Sequence, residues 1–384
     1  MKQKTVQPKP KTGRFRRFVA VAMTVLTVLA GLGLLVSGYA GYINPVDCRY
    51  AGFVELSFSI WLYVMLAVVL IDAFVARRAA IVGVSFLIAA LPVILDYSPL
   101  NISEPKPGEG EREIKLLTYN VLGFYDQNKE YHGDINRTVS YIINSGADVV
   151  CLQEALPIVR NVSLHITDAQ VDSIHSIYPY IYLSGWEQMI LSKFPVEPVR
   201  TDFRCGGSGE FDLGVFRLNI DGCKITVFNI HLKSMDLTLA DREVYEDFSR
   251  FKNNDNIKEI KNNIKEVKQQ VLGKVVAAGV ARAADMPSLL KYIEHYGGPN
   301  AIVCGDFNDV AWSYSIRRLE SAGFRQAYRH AAFGPMITYN SNNLFFRIDH
   351  ILYRGCLEPV AVSRGHLKTS DHYPFEATFI IKKQ

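Results

Sequence analysis

Short apolar runs that end on a polar side chain recur along this chain, and they leave few architectures open. Leu116-Leu117 leads into Thr118-Tyr119-Asn120, and Val149 to Leu152 into Gln153-Glu154. Ile225-Thr226-Val227-Phe228 leads into Asn229-Ile230-His231-Leu232, and Ala301-Ile302-Val303-Cys304 into Gly305-Asp306-Phe307-Asn308. Runs this short, bounded by polar residues and rich in β-branched side chains, read as buried strands. Arg347-Ile348-Asp349-His350 and Ser370-Asp371-His372 complete the set. A polar side chain at a strand end sits where a sheet meets solvent, and several such ends on one sheet edge make a site.

The side chains so collected are Asn120, Glu154, His231, Asp306, Asn308, Asp349, Asp371 and His372. Hard oxygen ligands (Glu154, Asp371, Asn120) suit Mg²⁺, with Mn²⁺ as a substitute; such an ion keeps several waters and meets its substrate through phosphate. No Cys has a ligand-like spacing and the His residues are not at i, i+4, which disfavours zinc. Asp306 can take a proton from attacking water, and His231 and His372 can donate hydrogen bonds to phosphoryl oxygens as charge builds. Asp349 is the candidate partner that fixes the His372 tautomer. His350 is expected on the opposite face from Asp349, because strand residues alternate, and reads as structural. Cys151 and Cys304 read as small core residues.

The pattern resembles the endonuclease/exonuclease/phosphatase family, over roughly residues 113–382. The resemblance implies a four-layer α/β sandwich of two sheets with outer helices, in a membrane-anchored bacterial member of that family. By the same resemblance Asn120 and Glu154 would hold the metal, with Asp371 near it. His231 and Asn308 would bind the scissile phosphate, Asp306 would align or deprotonate the water, and His372, oriented by Asp349, would stabilise the pentacovalent state. Two departures stand out. Many relatives have a small residue where Gln188 precedes Met189, and no counterpart is evident for the tyrosine that abasic-site enzymes place against the phosphate, Trp186 and Tyr182 being only nearby aromatics.

The front of the chain differs in kind. Phe18 to Ile43 carries no charge, Phe53 to Ala76 only Glu55 and Asp72, and Ala79 to Leu95 is a third apolar run ending at Asp96-Tyr97. The first two are long enough to cross a bilayer; the third is read as a span because only Arg77-Arg78 separates it from the second. A cleaved signal peptide explains one such run but not three. Seven basic residues precede the first span, and Arg77-Arg78 stands between the second and third. The positive-inside rule then places the N-terminus in the cytoplasm and everything after Tyr97 on the other side of a plasma (inner) membrane. The expected organisation is residues 1–97 as a membrane region with three transmembrane helices (18–43, 53–76, 79–97), a Pro- and Gly-rich linker at 98–112, and a catalytic domain at 113–384.

The net charge of +4 belongs to the front: residues 98–384 carry 32 basic and 34 acidic side chains, a net of −2. Nothing in that balance demands a nucleic-acid partner. The expected partners are a phosphate-ester substrate (nucleic acid, lipid headgroup or small molecule) and the bilayer; no protein partner can be inferred. Strands are expected at 113–119, 147–153, 180–183, 187–192, 211–220, 223–231, 300–305, 346–353 and 373–381, and helices at 134–145, 166–176, 238–252, 255–284, 286–296 and 313–322. Residues 255–284 read as an amphipathic helix with a basic face. Asp221-Gly222 reads as a two-residue hairpin turn, which puts Cys223 opposite Ile220, away from Cys205, and predicts free thiols. The sequence therefore points to a membrane-anchored, Mg²⁺-dependent phosphoesterase with an extracytoplasmic (periplasmic) site. The alternative is an inactive membrane-tethered binding domain of the same fold, against which the intact residue set argues.

Overall fold

The computed structural model describes residues 12–103, 105–128, 131–185, 187–200, 211–235, 257–341 and 344–382. The chain divides into two units: residues 1–40 with 54–94, and residues 41–53 with 95–384.

The first unit is helical. Helices Thr12–Tyr39 and Phe58–Val75 supply the segments long and apolar enough to cross a membrane. The third apolar run forms two helices, Arg77–Ala89 and Leu91–Tyr97, bent by 64° at their junction, so three spans require that bent pair to cross as one. Small residues allow close helix packing: a Cβ at Gly33 would lie 2.5 Å from the Trp61 ring and one at Gly31 2.3 Å from Phe86. The buried Asp72 carboxylate accepts a 2.6 Å hydrogen bond from the Thr27 hydroxyl, which meets part of the cost of a carboxyl group among apolar helices.

The second unit holds two six-stranded sheets and a small hairpin. Its strands are β1 Arg112–Asn120, β2 Val149–Gln153, β3 Tyr180–Ser184, β4 Gln188–Ser192, β5 Val196–Pro198, β6 Asp212–Ile220 and β7 Cys223–His231. There follow β8 Ala301–Asp306, β9 Arg325–Gln326, β10 Tyr339–Ser341, β11 Leu344–Phe346, β12 Asp349–Arg354, β13 Leu357–Arg364 and β14 Phe375–Ile381. The first sheet has the order β13-β14-β1-β2-β4-β3, the second β5-β6-β7-β8-β12-β9.

Alternation along each strand builds the layers. Ile114, Leu116, Val149 and Cys151 of the first sheet share one core with Ile225, Val227, Ile302 and Cys304 of the second. Val150 and Leu152 face the opposite way, into a core with Val139 and Ile142 of helix Arg137–Asn144 and Ile174 of helix Asp168–Ile177. Phe228, Ile230 and Val303 pack with Met286, Leu289 and Ile293 of helix Ile257–Tyr296 and with Ile316 of helix Tyr314–Ser321. The architecture is thus helix, sheet, sheet, helix, as expected, and Cys151 and Cys304 are fully buried in its centre.

Several boundaries differ from expectation. The helices expected at 255–284 and 286–296 are one, Ile257–Tyr296, which runs through Pro287. Burial of Met286, Leu289 and Ile293 beside that proline offsets its lost hydrogen bond. Strand β12 starts at Asp349, because Leu344–Phe346 turns back on Tyr339–Ser341 as a separate hairpin. Strand β13 was not expected, since Pro359 and the bulge beside it break its pattern. The helix expected at 238–252, the side chains of the proposed basic face before Val271, Trp186 and Cys205 lie outside the described residues.

Candidate active site

Strand direction gathers the site. Strands β1 and β2 run parallel, as do β7 and β8, so each pair ends at one edge. Strands β14 and β12 run antiparallel to β1 and β8, so they begin at that same edge. The motifs at Asn120, Glu154, His231 and Asp306 therefore close their strands, whereas Asp349 and His372 stand where strands open. In the second sheet His231 pairs in register with Asp306, and Asp306 with Asp349, which sets three candidate site residues in one row.

The face between the sheets turns polar as it approaches this edge. Along β1 the inward positions read Ile114, Leu116, Thr118, Asn120; along β7 they read Ile225, Val227, Asn229, His231. The Gln153 amide joins the two sheets, donating to Thr118 Oγ1 (3.0 Å) and to Asn229 Oδ1 (2.6 Å). The position noted as unusual, Gln188, is fully buried on this face; Gly214 on the opposite sheet makes room for it, since a Cβ there would lie 3.0 Å from Gln188 Cβ.

Asp306 is the hub. Its Oδ2 accepts from Asn120 Nδ2 at 3.2 Å, lies 3.3 Å from His372 Nε2 and 3.6 Å from His231 Nε2. Asn120 Nδ2 also donates to Glu154 Oε1 at 2.8 Å, which ties the two carboxylates together across the sheets. Asp306 Oδ1 accepts from the Asn308 backbone N–H at 2.8 Å, and the Asn308 amide donates to Leu232 O at 2.9 Å. Glu154 and Asn308 both hold φ near +50°, a conformation that non-glycine residues adopt at some cost and that clusters at functional sites. Gly305 has φ +133°, and a Cβ there would lie 2.0 Å from Ile230 O, so only glycine lets β8 approach β7 here.

His372 Nδ1 and Asp349 Oδ2 share a 2.8 Å hydrogen bond. Burial opposes protonation of His372, but the carboxylates of Asp349, Asp306 and Asp371 outweigh it and raise the imidazole to about 10. Burial lifts the Asp349 carboxyl above its ordinary value, with the His372 charge pulling the other way. His372 is thus an imidazolium at neutral pH. The folded state keeps a proton that the unfolded chain releases near pH 6.5. This contribution to stability is complete below about pH 6.5 and is lost as pH rises toward 10. Chelator-treated protein is expected to lose stability across that window in thermal unfolding, and His372→Gln should flatten the decline. An unchanged slope in that variant would show that His372 does not carry it.

His350 points away, into the layer behind. Arg347 Nη1 approaches its Nδ1 at 2.9 Å, its Nε2 meets Asp309 O at 2.8 Å, and its ring packs edge-on against Phe307 at 5.2 Å. Burial and the Arg347 charge lower its pKa well below the usual value, so it is neutral. The Asp371 carboxylate accepts from the Ser370 hydroxyl at 3.2 Å, and its charge is among those that raise His372.

Three contributors were not singled out from sequence. Thr338 Oγ1 accepts from the backbone N–H of Ile348 and of Asp349, each at 3.1 Å, and so fixes the start of β12. The Tyr339 ring stands edge-on to the His372 imidazole at 5.1 Å, whereas Tyr182 sits on β3. The buried Arg282 meets Asp309 at 3.3 Å and donates to Lys233 O, bracing the loop after Asp306. Thr338 and Tyr339 lie in a short hairpin segment with no periodic signal, and only a basic residue inside an apolar helix face marked Arg282.

The donor set fits a hard divalent ion. Carboxylate oxygens of Glu154 and Asp306 converge on one amide, and Glu154 keeps 30% of its side chain exposed toward solvent. Asp306, Asp349 and His372 also each offer a ligand atom within 4.8 Å of the others. Because the Asp349–His372 hydrogen bond already engages two of these groups, Glu154 with Asp306 is the better seat for an ion.

Residues 117–372 match the Endonuclease/Exonuclease/phosphatase family, and residues 16–97 match a family described as a domain of unknown function. No curated protein matches. Similar solved structures include an endonuclease/exonuclease/phosphatase from Beutenbergia cavernae, 13% identical over 71% of this chain and 72% of that one, with a TM-score of 0.47. A family protein from Bacteroides thetaiotaomicron is 16% identical over 71% of this chain and all (100%) of that one, TM-score 0.43. Truncated TDP2 from Caenorhabditis elegans is 20% identical over 70% of this chain and 97% of that one, TM-score 0.41. The family match spans more than half of the chain and takes in every motif of the site, and the chain belongs to the endonuclease/exonuclease/phosphatase family of phosphoester-hydrolysing enzymes.

Proposed function

We propose that this chain is a membrane-anchored, Mg²⁺-dependent phosphoesterase whose catalytic unit faces away from the cytoplasm. The observation that carries the catalytic reading is the convergence of Asn120, His231 and His372 on one carboxylate oxygen of Asp306, at the polar end of the inter-sheet face. A divalent ion held by Glu154, with Asn120 and Asp306 beside it, would supply Lewis-acid stabilisation of phosphoryl oxygens. Asp306 orients the attacking water and accepts its proton. His372, cationic and held by Asp349, and His231, at the more open mouth, donate to the phosphoryl oxygens as negative charge grows. Asn308, with its backbone locked to Asp306, is the amide expected to position the phosphate.

The balance of −2 outside the membrane region favours a membrane-borne or small phosphate ester over a polyanion. Full-length protein in detergent should hydrolyse at least one member of a panel of DNA, RNA, sphingomyelin, phosphoinositides and a bis-ester dye. It should do so with Mg²⁺ or Mn²⁺ and stop on chelation. Glu154→Gln should keep the fold, lower activity and raise the Mg²⁺ requirement; unchanged metal dependence would remove Glu154 from the metal site.

The membrane side depends on the bent pair Arg77–Ala89 and Leu91–Tyr97 crossing as one span. The basic flanks at the N-terminus and at Arg77-Arg78 support a cytoplasmic start and an odd number of crossings. A reporter active only outside the cytoplasm should work when fused after Gly110 and fail when fused at Arg78. The opposite pattern overturns the three-span topology.

A further inference from the structure

Two cysteines 133 residues apart place their Sγ atoms 3.3 Å from each other at the edge of the sandwich opposite the active site. Cys223 opens β7, and His231 closes it, about 26 Å away at the ~3.3 Å rise of a strand. Cys356 lies in the turn between β12 and β13, where the chain passes from the second sheet to the first.

Both backbones are held in place. Cys223 pairs with Ile220 across a tight turn in which Asp221 and Gly222 both have positive φ (51° and 90°). Gly355 has φ +87°, and a Cβ there would lie 2.2 Å from Asn300 Oδ1 and 2.6 Å from Pro299 O, so the turn admits glycine alone. The same Asn300 oxygen accepts the Cys356 N–H at 2.9 Å. Among the described residues, the one cluster of metal-type ligands is Asp306, Asp349 and His372, at the opposite edge, so this pair does not read as half of a metal site.

We propose that Cys223 and Cys356 form a disulfide when the protein meets a thiol–disulfide oxidant, and that the bond clamps the far edge of the two sheets. Cys223 is the more exposed and attacks first, while Cys356 is 8% exposed and burial, with Cys223 beside it, raises its thiol to about 12. The Cys223 thiolate attacks one sulfur of the oxidant's disulfide and expels the other. The Cys356 thiolate then attacks Cys223 Sγ and expels the remaining oxidant sulfur. Two electrons pass to the oxidant, and the two protons lost by the cysteines end on its two thiols. Cys151 and Cys304 are sealed in the core and do not compete.

The test uses full-length protein in detergent, equilibrated with oxidised and reduced glutathione, alkylated and digested without reduction. Mass spectrometry should recover a peptide joining Cys223 to Cys356, with both residues protected from alkylation. Reduction should lower the unfolding midpoint of the catalytic unit by about 5–10 °C, as expected for a clamp closing a long loop. Cys223→Ser and Cys356→Ser should each remove that redox-dependent difference. Alkylation of both thiols under oxidising conditions, or a peptide joining Cys223 to Cys205, overturns the proposal. Peptide mapping of the wild-type protein decides even where a serine variant fails to fold. The readout is thiol state, not hydrolysis, so its outcome is independent of the proposed activity.

Discussion

Asp306→Asn, His231→Ala and His372→Ala are each expected to lower kcat by about 10²-fold or more while leaving KM less affected, because the roles proposed for these groups act most strongly in the transition state. For Asp306 the reason is geometric as well as chemical. Its Oδ2 faces Asn120, His231 and His372 at once, and an amide there presents either a nitrogen that repels these donors or an oxygen without charge. His372→Ala removes the cation and leaves Asp349 buried without its partner, so that variant should also lose stability. Asp349→Asn should cost less in kcat, since it acts through His372. Steady-state kinetics on any substrate the wild type hydrolyses provides the check. His350, read as structural from its place in the strand, has that role in the fold. Arg347 and the Asp309 carbonyl hold it behind the site, so the variant should be destabilised while its folded fraction keeps most of its turnover. Loss of turnover in folded His350→Ala alongside an active His372→Ala would overturn these roles.

Asp96→Ala is expected to destabilise the catalytic unit by about 3–5 kcal/mol, the cost of stripping a buried ion pair of one partner. Asp96 ends the third apolar run, yet it belongs to the catalytic unit and is fully buried there. Its carboxylate receives Arg317 at 2.7 Å and also pairs with Arg329, and its backbone carbonyl accepts from Arg347 Nη2 at 2.7 Å. Arg347 in turn holds His350, next to Asp349 at the start of β12. Burial keeps the Arg347 guanidinium down at about 10, a sign of how little solvent reaches this layer. Without Asp96, Arg317 keeps Glu320 at 2.7 Å as its one ionic partner among the described residues. A fragment beginning at Ser98 omits the same carboxylate and should share the defect, whereas one that retains Leu95 to Tyr97 should not. Limited proteolysis or thermal unfolding of the catalytic unit would show it, and a midpoint equal to wild type would mean the cluster contributes little. Nearby, the Asn101 amide donates to Arg329 O and Ala332 O, so part of the segment read as a linker is also bound to this unit.

Much of the site was legible before the fold. The change from apolar to polar along alternate residues of β1, β2, β7 and β8 needs only the period of a strand. It marks Asn120, Glu154, His231 and Asp306 as polar strand ends, while the sharing of one inter-sheet face by Gln153 and Asn229 came from the structure. The two-sided burial of β7 likewise follows from Ile225 and Val227 on one face and Phe228 and Ile230 on the other. The turn at Asp221-Gly222 set the hairpin register correctly, residue for residue. These signals are local, and local geometry decides them.

What the tertiary structure alone decided is which distant groups meet. That Asp349 and His372 serve the same edge as Asp306 follows from β12 and β14 running antiparallel to β8 and β1, a choice that no strand carries in its own pattern. Tyr339 reaches His372, Arg282 reaches Asp309, Cys223 reaches Cys356 and Asp96 reaches three arginines across separations that leave no periodic trace. By itself the sequence determined strands such as β1, β2, β7 and β8, their buried faces and their polar ends, because side-chain alternation and hydrophobic burial act over a few residues. The tertiary structure decided the pairing of strands, and with it the ion pairs and the thiol pair, because those energies depend on contacts formed only once the sheets have closed on each other.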